Sequence, residues 1–380
     1  MRIAKLCIRA FRNHTNTEIE FGEGVNALLG NNGQGKTNVL EAISYLGLTK
    51  SFYAASDATV LQIGKDAFTV EGEIITDVAL THTVRVAYHR SGEKQFTING
   101  AKPDTLASVI GRFPLVVLSP ENNAITFGGP AERRRFLDLV LSQISRSYLE
   151  DLIEYRRVLK QRNKLLLDAK LERRFAPELI EPWTHSLVQL GSRIILHRKE
   201  FIAEFRQFVN RAYHDLVKSE LPGDDEVPGI SYSTFAGAVE AGSVSAVESL
   251  MRSEIERRAA DERNRGASLV GPHRDDLLLT INGINLQQYA SQGQHKTMLI
   301  ALKIAEFFYL RERREEVPVF LLDDVFSELD ERRSRLLLDT VSSLGQTCIT
   351  TTEESVFHNA VEWNGKNRKF RVEAGKVIPC

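Results

Sequence analysis

Eight residues near the N-terminal end, Gly30-Asn31-Asn32-Gly33-Gln34-Gly35-Lys36-Thr37, have the types and spacing of a phosphate cradle. They fit G-x-x-x-x-G-K-[ST], in which glycines let backbone N–H groups approach phosphate oxygens with no Cβ in the way. Lys36 would reach the β- and γ-phosphates of ATP, and Thr37 would bind Mg2+. Near the other end, Val319-Phe320-Leu321-Leu322-Asp323-Asp324 is an apolar strand closed by two acids. Taken alone, such acids could simply cap the next element. Beside a P-loop, Asp323 would hold Mg2+ directly or through water, and Asp324 would orient or deprotonate an attacking water. A third group, Ser291-Gln292-Gly293-Gln294, opens a helix carrying Met298, Leu299, Leu302 and Ile304. Its plain reading is an N-cap serine with a flexible glycine. Its chemical reading is an anion site, where the Ser291 hydroxyl and the first helical amides meet a γ-phosphate.

A cradle and acids so far apart in sequence share one site only if the chain leaves a nucleotide-binding sheet and returns to it. The pattern predicts that. Ile3 to Ile8, Ile19 to Phe21 and Val25 to Leu29 read as strands, and Lys36 to about Gly47 as the helix after the cradle. Val70–Ile75, Val84–His89, Gln95–Ile98 and Leu115–Leu118 are further strands, with Asn99-Gly100 as a hairpin turn. After Gly128-Gly129-Pro130 the character turns helical, from Ala131 to about Lys218, with Pro177 and Pro182 marking a turn between two long helices. Leu221 to Gly229 reads as a loop and Val247 to Arg263 as another helix. Sheet returns at Leu277–Ile281, Val319–Leu322, Thr347–Thr350 and Phe370–Val377. The expected organisation is an α/β ATPase lobe split between 1–130 and 265–380, with a helical lobe and short antiparallel arm over 131–264.

Composition excludes several classes. With 380 residues and 42% hydrophobic content, the chain can build a large core. A formal net charge of −1 gives no global sign of nucleic acid. Cys7, Cys348 and Cys380 are scattered without metal-ligand spacing, which suits a reducing compartment. No apolar run approaches the ~18 residues of a membrane span. A soluble, cytoplasmic protein is expected.

Several of these motifs carry a family resemblance. Ser291-Gln292-Gly293-Gln294 resembles the signature motif of ABC-type ATPases, shortly upstream of their acid-ended strand, and Ser327-Glu328-Leu329-Asp330 looks like their D-loop. Phe11-Arg12-Asn13-His14 is similar to the start of Rad50 and SMC heads. The fullest resemblance is to the RecF family of bacterial recombination mediators. It rests on Pro120-Glu121, Gly128-Gly129-Pro130 with Arg133-Arg134-Arg135-Phe136-Leu137-Asp138, Gly271-Pro272-His273-Arg274-Asp275-Asp276, and Asp323-Asp324 with Ser327 to Asp330. Thr126 departs from the first hallmark, where an aliphatic residue is usual.

The resemblance implies an ABC-type head that dimerises on ATP, each signature motif completing the other subunit's P-loop site, so that Ser291 and Gly293 act in trans. It places Arg12 and Asn13 among the nucleotide-binding residues, Lys36, Ser291, Asp323 and Asp324 in the catalytic set, and Thr37 and Asp323 on the metal. Asp324 stands where ABC transporters have Glu, which implies slow hydrolysis. Thr350-Thr351-Thr352 stands where transporters place a switch histidine, and Glu121 loosely matches their Q-loop. The implied role is DNA binding at gaps or junctions in recombinational repair, replication maintenance and SOS induction, loading RecA together with RecO and RecR.

The helical insert carries Arg133, Arg134, Arg135, Arg146, Arg156, Arg157, Lys160, Arg162, Lys164, Lys170, Arg173 and Arg174. Any one of these reads as a salt-bridged surface residue; together they suit sequence-independent contacts to DNA phosphates. His273 and Arg274 read first as structural. Rival classes fit less well. A transporter ATPase would carry the catalytic Glu and switch His, an SMC-like tether would need a long heptad arm, and a small P-loop kinase has no use for a signature serine.

Overall fold

The computed structural model describes residues 1–172, 175–217, 226–357 and 360–380, with Glu328 described by its backbone alone. The chain forms two compact units. The first comprises Met1–Asn123, Ala212–Glu220 and Lys296–Cys380; the second comprises Ala124–Arg211 and Leu221–His295. Residues 265–295, grouped by sequence with the ATPase lobe, thus cluster with the second unit.

Two sheets build the first unit. Alternating strands make the first sheet: β1 (Arg2–Phe11), β2 (His14–Glu20), β4 (Ala67–Ile75), β5 (Thr81–His89) and β6 (Lys94–Ile98), antiparallel in the order β2-β1-β4-β5-β6. In β4, Phe68, Val70, Gly72 and Ile74 are buried while their neighbours are not, as period-2 patterning requires. The second sheet joins four strands buried along nearly their whole length, β3 (Val25–Leu29), β7 (Leu115–Leu118), β11 (Val319–Asp323) and β12 (Thr347–Thr351), to two more exposed ones, β13 (Arg368–Glu373) and β14 (Lys376–Pro379). Its order is β14-β13-β3-β12-β11-β7, and every pair from β13 to β7 is parallel. Burial on both faces explains why the first four show no alternation, whereas the end of β13 alternates, with Phe370 and Val372 buried. Helix α1 (Lys36–Leu48) touches strands of both sheets. A Cβ on Gly72 would come within 2.3 Å of Leu46 Cδ1, so this glycine lets the helix lie against β4. Helix α10 (Glu331–Ser342) is capped by Asp330, whose side chain accepts from the Arg333 N–H.

After α2 (Asn123–Phe127), the second unit holds α3 (Pro130–Ile144), α4 (Arg146–Glu172) and α5 (Pro177–Val217). It continues with β8 (Pro228–Ser233), α6 (Val244–Arg257), α7 (Ala259–Arg265), β9 (Asp276–Ile281), β10 (Ile284–Asn285) and α8 (Leu286–Tyr289). Helix α9 (Gln292–Arg313) begins in this unit and ends in the first. No described helix is long and apolar enough to cross a membrane.

Four segments differ from the sequence expectation. Pro177 begins α5, but Pro182 lies inside the helix, where Ser186 Oγ donates to its carbonyl at 3.1 Å. The expected helix over 247–263 is two, because Arg258 (φ −95, ψ 8) leaves the helical conformation. The single strand expected over 370–377 is a hairpin, turned by Ala374 (φ 47) and Gly375 (φ 77). The loop expected over 221–229 lies outside the described residues as far as 225, and Pro228 already starts β8.

Candidate nucleotide site

The cradle joins β3 to α1 through a backbone that only glycine adopts easily. Gly33 has φ 79 and Gly35, the N-cap of α1, has φ 109. A Cβ on Gly35 would come within 2.5 Å of Asn13 Oδ1, whereas one on Gly33 would meet nothing. Asn31, Asn32 and Gly33 are exposed at the crest. Lys36 is buried, and its Nζ donates to the carbonyls of Gly30 at 2.6 Å and Asn31 at 3.0 Å. Burial lowers its pKa, and the carboxylates of Asp324 and Asp323 oppose that shift.

The acids at the end of β11 meet this loop. Thr37 Oγ1 donates to Asp323 Oδ1 at 2.8 Å, and Thr350 Oγ1 donates to the same oxygen at 2.7 Å. Burial raises the Asp323 pKa; the Thr350 and Thr37 hydroxyls work against it, and the charges of Asp324 and Glu121 reinforce it. Asp324 has a left-handed backbone (φ 48), and its Oδ1 is buried with no hydrogen-bond partner among the described residues. Such an oxygen is costly unless something satisfies it. The donor set, a threonine hydroxyl and a carboxylate next to a phosphate cradle, is hard-oxygen chemistry that fits Mg2+. That ion is commonly held by one or two protein oxygens plus phosphates and water, without a full protein cage.

Around the cradle runs a frame. Arg12, also with positive φ (52), donates from Nε and Nη2 to the two carboxylate oxygens of Glu41, both at 2.8 Å. Glu41 is fully buried on α1 and also accepts from Ser51 Oγ at 2.6 Å. Asn13 Nδ2 donates to the Gln34 carbonyl at 2.9 Å, and Asn13 Oδ1 accepts from Asn38 Nδ2 at 2.8 Å. His14 Nε2 lies 3.0 Å from the Gly35 carbonyl. From the β13–β14 turn, the Gly375 N–H donates to the Gln34 carbonyl at 2.9 Å and the Ala374 N–H to Gln34 Oε1 at 2.7 Å. Arg12 and Asn13 therefore grip the loop and its helix from outside.

Ser291 and Gly293 belong to the second unit. Ser291 is exposed and forms a capping box: Oγ accepts from the Gln294 N–H at 3.2 Å, and Gln294 Oε1 accepts from the Ser291 N–H at 2.8 Å. Both readings of this serine, cap and anion contact, are compatible with that geometry. The D-loop serine is engaged with an acid in the first unit, Ser327 Oγ donating to the Asp324 carbonyl at 2.8 Å.

The two hallmark segments of the second unit bind each other. Arg133, buried, forks onto Asp276 at 2.7 and 2.8 Å, and Arg134 donates to the Asp275 carbonyl at 2.7 Å. Arg198, buried on α5, donates to Asp138 Oδ1 at 2.7 Å and to the Pro272 carbonyl at 2.7 Å. His273 sits between the Tyr155 hydroxyl (2.7 Å) and the Ser268 carbonyl (3.1 Å). Much of the basic insert is likewise engaged: Arg146 with Glu150, Arg156 with Asp138, Arg157 with Glu154, and Arg162, buried, with Glu262 at 2.6 Å. Among the described residues, Lys160, Lys164 and Lys170 are exposed and form no ion pair, while Arg173 and Arg174 lie outside them.

Sequence reasoning missed Thr350 as a partner of both acids, Glu41 and Ser51 as partners of Arg12, and the 374–375 turn as a brace for Gln34. A signal existed for Glu41, an acid between apolar positions of an amphipathic helix.

The family model described as RecF/RecN/SMC N terminal domain matches residues 2–373. The DNA replication and repair protein RecF of Chloroherpeton thalassium is 44% identical over 94% of this chain and 96% of its own length. The chain belongs to the RecF family. The RecF of Salinibacter ruber is 41% identical over 99% of this chain and 91% of its own. A solved structure described as the recombination mediator protein RecF-ATPrS in the RecFOR pathway matches with TM-score 0.90 and 30% identity, covering 100% of this chain and 98% of that one. An Smc head bound to the C-terminal winged-helix domain of ScpA matches at TM-score 0.53 and 13% identity, a likeness of fold. The RecF fold is thus an ABC-type ATPase head with a long helical insert.

Proposed function

We propose that this RecF-family protein is an ATP-dependent DNA-binding protein of recombinational repair and replication maintenance, acting in the cytoplasm. The observation that carries the reading is the 2.8 Å bond between Thr37 and Asp323, which joins two halves of a nucleotide site from opposite ends of the chain. ATP in the relatives described as RecF-ATP and RecF-ATPrS supports the choice of nucleotide.

In this reading the glycine-bearing backbone and Lys36 take the phosphates, and Lys36 exchanges its two carbonyl partners for phosphate oxygens. Thr37 and Asp323 hold Mg2+, which when bound neutralises charge on the phosphates. Asp324, with a free buried oxygen, orients the attacking water. Two chains close around two ATP molecules, and each Ser291 and Gly293 caps the partner's nucleotide. ATP favours closure only by its greater affinity for the closed state. Exposed Lys160, Lys164 and Lys170 contribute phosphate contacts to DNA, with no reading of bases. Slow hydrolysis reopens the dimer. Cooperation with RecO and RecR in loading RecA, and a part in SOS induction, belong to the same reading, with the resemblance to RecF proteins as their support.

The test is DNA affinity with and without ATP, across a salt series, on gapped, duplex and single-stranded substrates. Tighter binding with ATP is expected, with a log–log salt slope of about −0.9 per duplex phosphate neutralised. Affinity indifferent to ATP on all three substrates would remove the proposal.

A further inference from the structure

We infer that Thr350 is a positioning residue for metal-dependent nucleotide turnover, its single hydroxyl holding the Asp323 carboxylate and the Asp324 backbone in one fixed relation. This deepens the proposed function and rests on its reading of Thr37 and Asp323 as the metal side of the site.

A hydroxyl has one proton to give and lone pairs to receive. Thr350 spends its proton on Asp323 Oδ1, at 2.7 Å, and receives the Asp324 N–H at 2.9 Å. Both acids are therefore tied to one buried oxygen at the end of β12. The link matters because Asp324 is not in a relaxed conformation. Its φ of 48 is disfavoured for any residue with a Cβ, although Asp is among the more tolerant. Thr350 holds the N–H of that strained residue, and Ser327 Oγ holds its carbonyl at 2.8 Å.

Neighbouring threonines do something else. The Thr351 hydroxyl accepts from the Glu353 N–H at 3.1 Å, and Thr352 is exposed. A packing role alone would be met by valine or isoleucine, as it is at Ile349, which is also fully buried. The hydroxyl stands at the position paired with Asp323 in the parallel register of β11 and β12. Were Thr37 to meet a metal, it would do so through a lone pair and would keep its proton for Asp323. Of the two hydroxyls among the described residues that donate to that carboxylate, Thr350 is the one that would serve the acids alone, with no metal to share. Partners of this kind usually matter about ten- to hundredfold in metal affinity or activity.

The test compares Thr350→Val, Thr350→Ala and Thr350→Ser in the full chain. It measures affinity for a fluorescent ATP analogue with and without Mg2+, steady-state hydrolysis and melting temperature. Val and Ala are expected to bind the metal-free analogue within about twofold of wild type, and to lose about tenfold or more of the Mg2+-dependent gain and of kcat, with Ser restoring both. Ala carries the comparison if Val fails to fold. Wild-type Mg2+ dependence and kcat in a folded Val or Ala variant would overturn the inference, as would a Ser variant as impaired as Val. Absence of any Mg2+-dependent gain in the wild-type protein would instead sink the metal reading of Thr37 and Asp323.

Discussion

Arg12 separates two roles that sequence and structure suggest for it. Family resemblance makes it a nucleotide contact, whereas its guanidinium is forked onto the carboxylate of Glu41 at 2.8 Å twice. Glu41 is fully buried, and among the described residues its carboxylate's one other partner is the Ser51 hydroxyl. Arg12→Leu therefore strands a buried carboxylate. Breaking such a pair by removing one partner costs about 3–5 kcal/mol. At roughly 2–4 °C per kcal/mol for a unit of this size, the nucleotide-free protein should melt about 6–20 °C lower. Removing the acid as well removes the stranded charge, so Arg12→Leu/Glu41→Leu should recover more than half of the loss. Thermal melts of wild type, both single variants and the double, each paired with ATP affinity, complete the cycle. An Arg12→Leu protein that melts within about 2 °C of wild type but has lost ATP affinity would refute the brace and restore the direct contact.

Asp324→Asn keeps a residue tolerant of the left-handed backbone and removes only the charge, so ATP binding should persist while turnover falls. Hydrolysis at the wild-type rate would contradict the water-orienting role. Ser291→Arg should leave ATP binding by the monomer intact and block ATP-induced dimers, read by sedimentation velocity; it also removes a helix cap, worth about 1 kcal/mol, so the melt is recorded alongside. His273 supplies a pH prediction. Burial, reinforced by the nearby Arg274, Arg134 and Arg162, pushes its pKa down to about 4 from an ordinary 6.5. Between those values the unfolded chain binds a proton that the folded chain refuses, so stability is present above 6.5 and is lost as pH falls toward 4. The loss is on the order of 3 kcal/mol, and His273→Gln should flatten the melting profile across that window.

What sequence could show was local chemistry and periodicity. Gly30 to Thr37 and the run into Asp323 were legible because phosphate binding constrains residue types over a few positions. The strands β4, β5, β7 and β11 were legible because burial on one face or both leaves a pattern. The Arg12–Glu41 pair, the Gln34 contacts with Ala374 and Gly375, and the two bonds of Thr350 were not. Each joins residues whose pairing comes from a partner far along the chain: the acid at Glu41 was visible on its helix, but its bond to Arg12 was not. The basic insert was legible as composition and misleading as surface. Arg133 and Arg162 are buried in ion pairs, and a list of residue types carries no exposure. Pro182 and the turn at 374–375 misled for the opposite reason, since a proline tolerated near the start of a helix and a turn within an apolar run defeat simple punctuation rules.

The strand that carries the P-loop, β3, is paired on one side by β12 and on the other by β13. Both flanking strands, Thr347–Thr351 and Arg368–Glu373, follow the helical insert in the sequence. A cradle without them would hang on a strand with neither of its sheet partners. Removing residues 347–373 is therefore expected to cost the protein its hold on ATP even with Gly30 to Thr37 intact, because the cradle's strand would lose both neighbours.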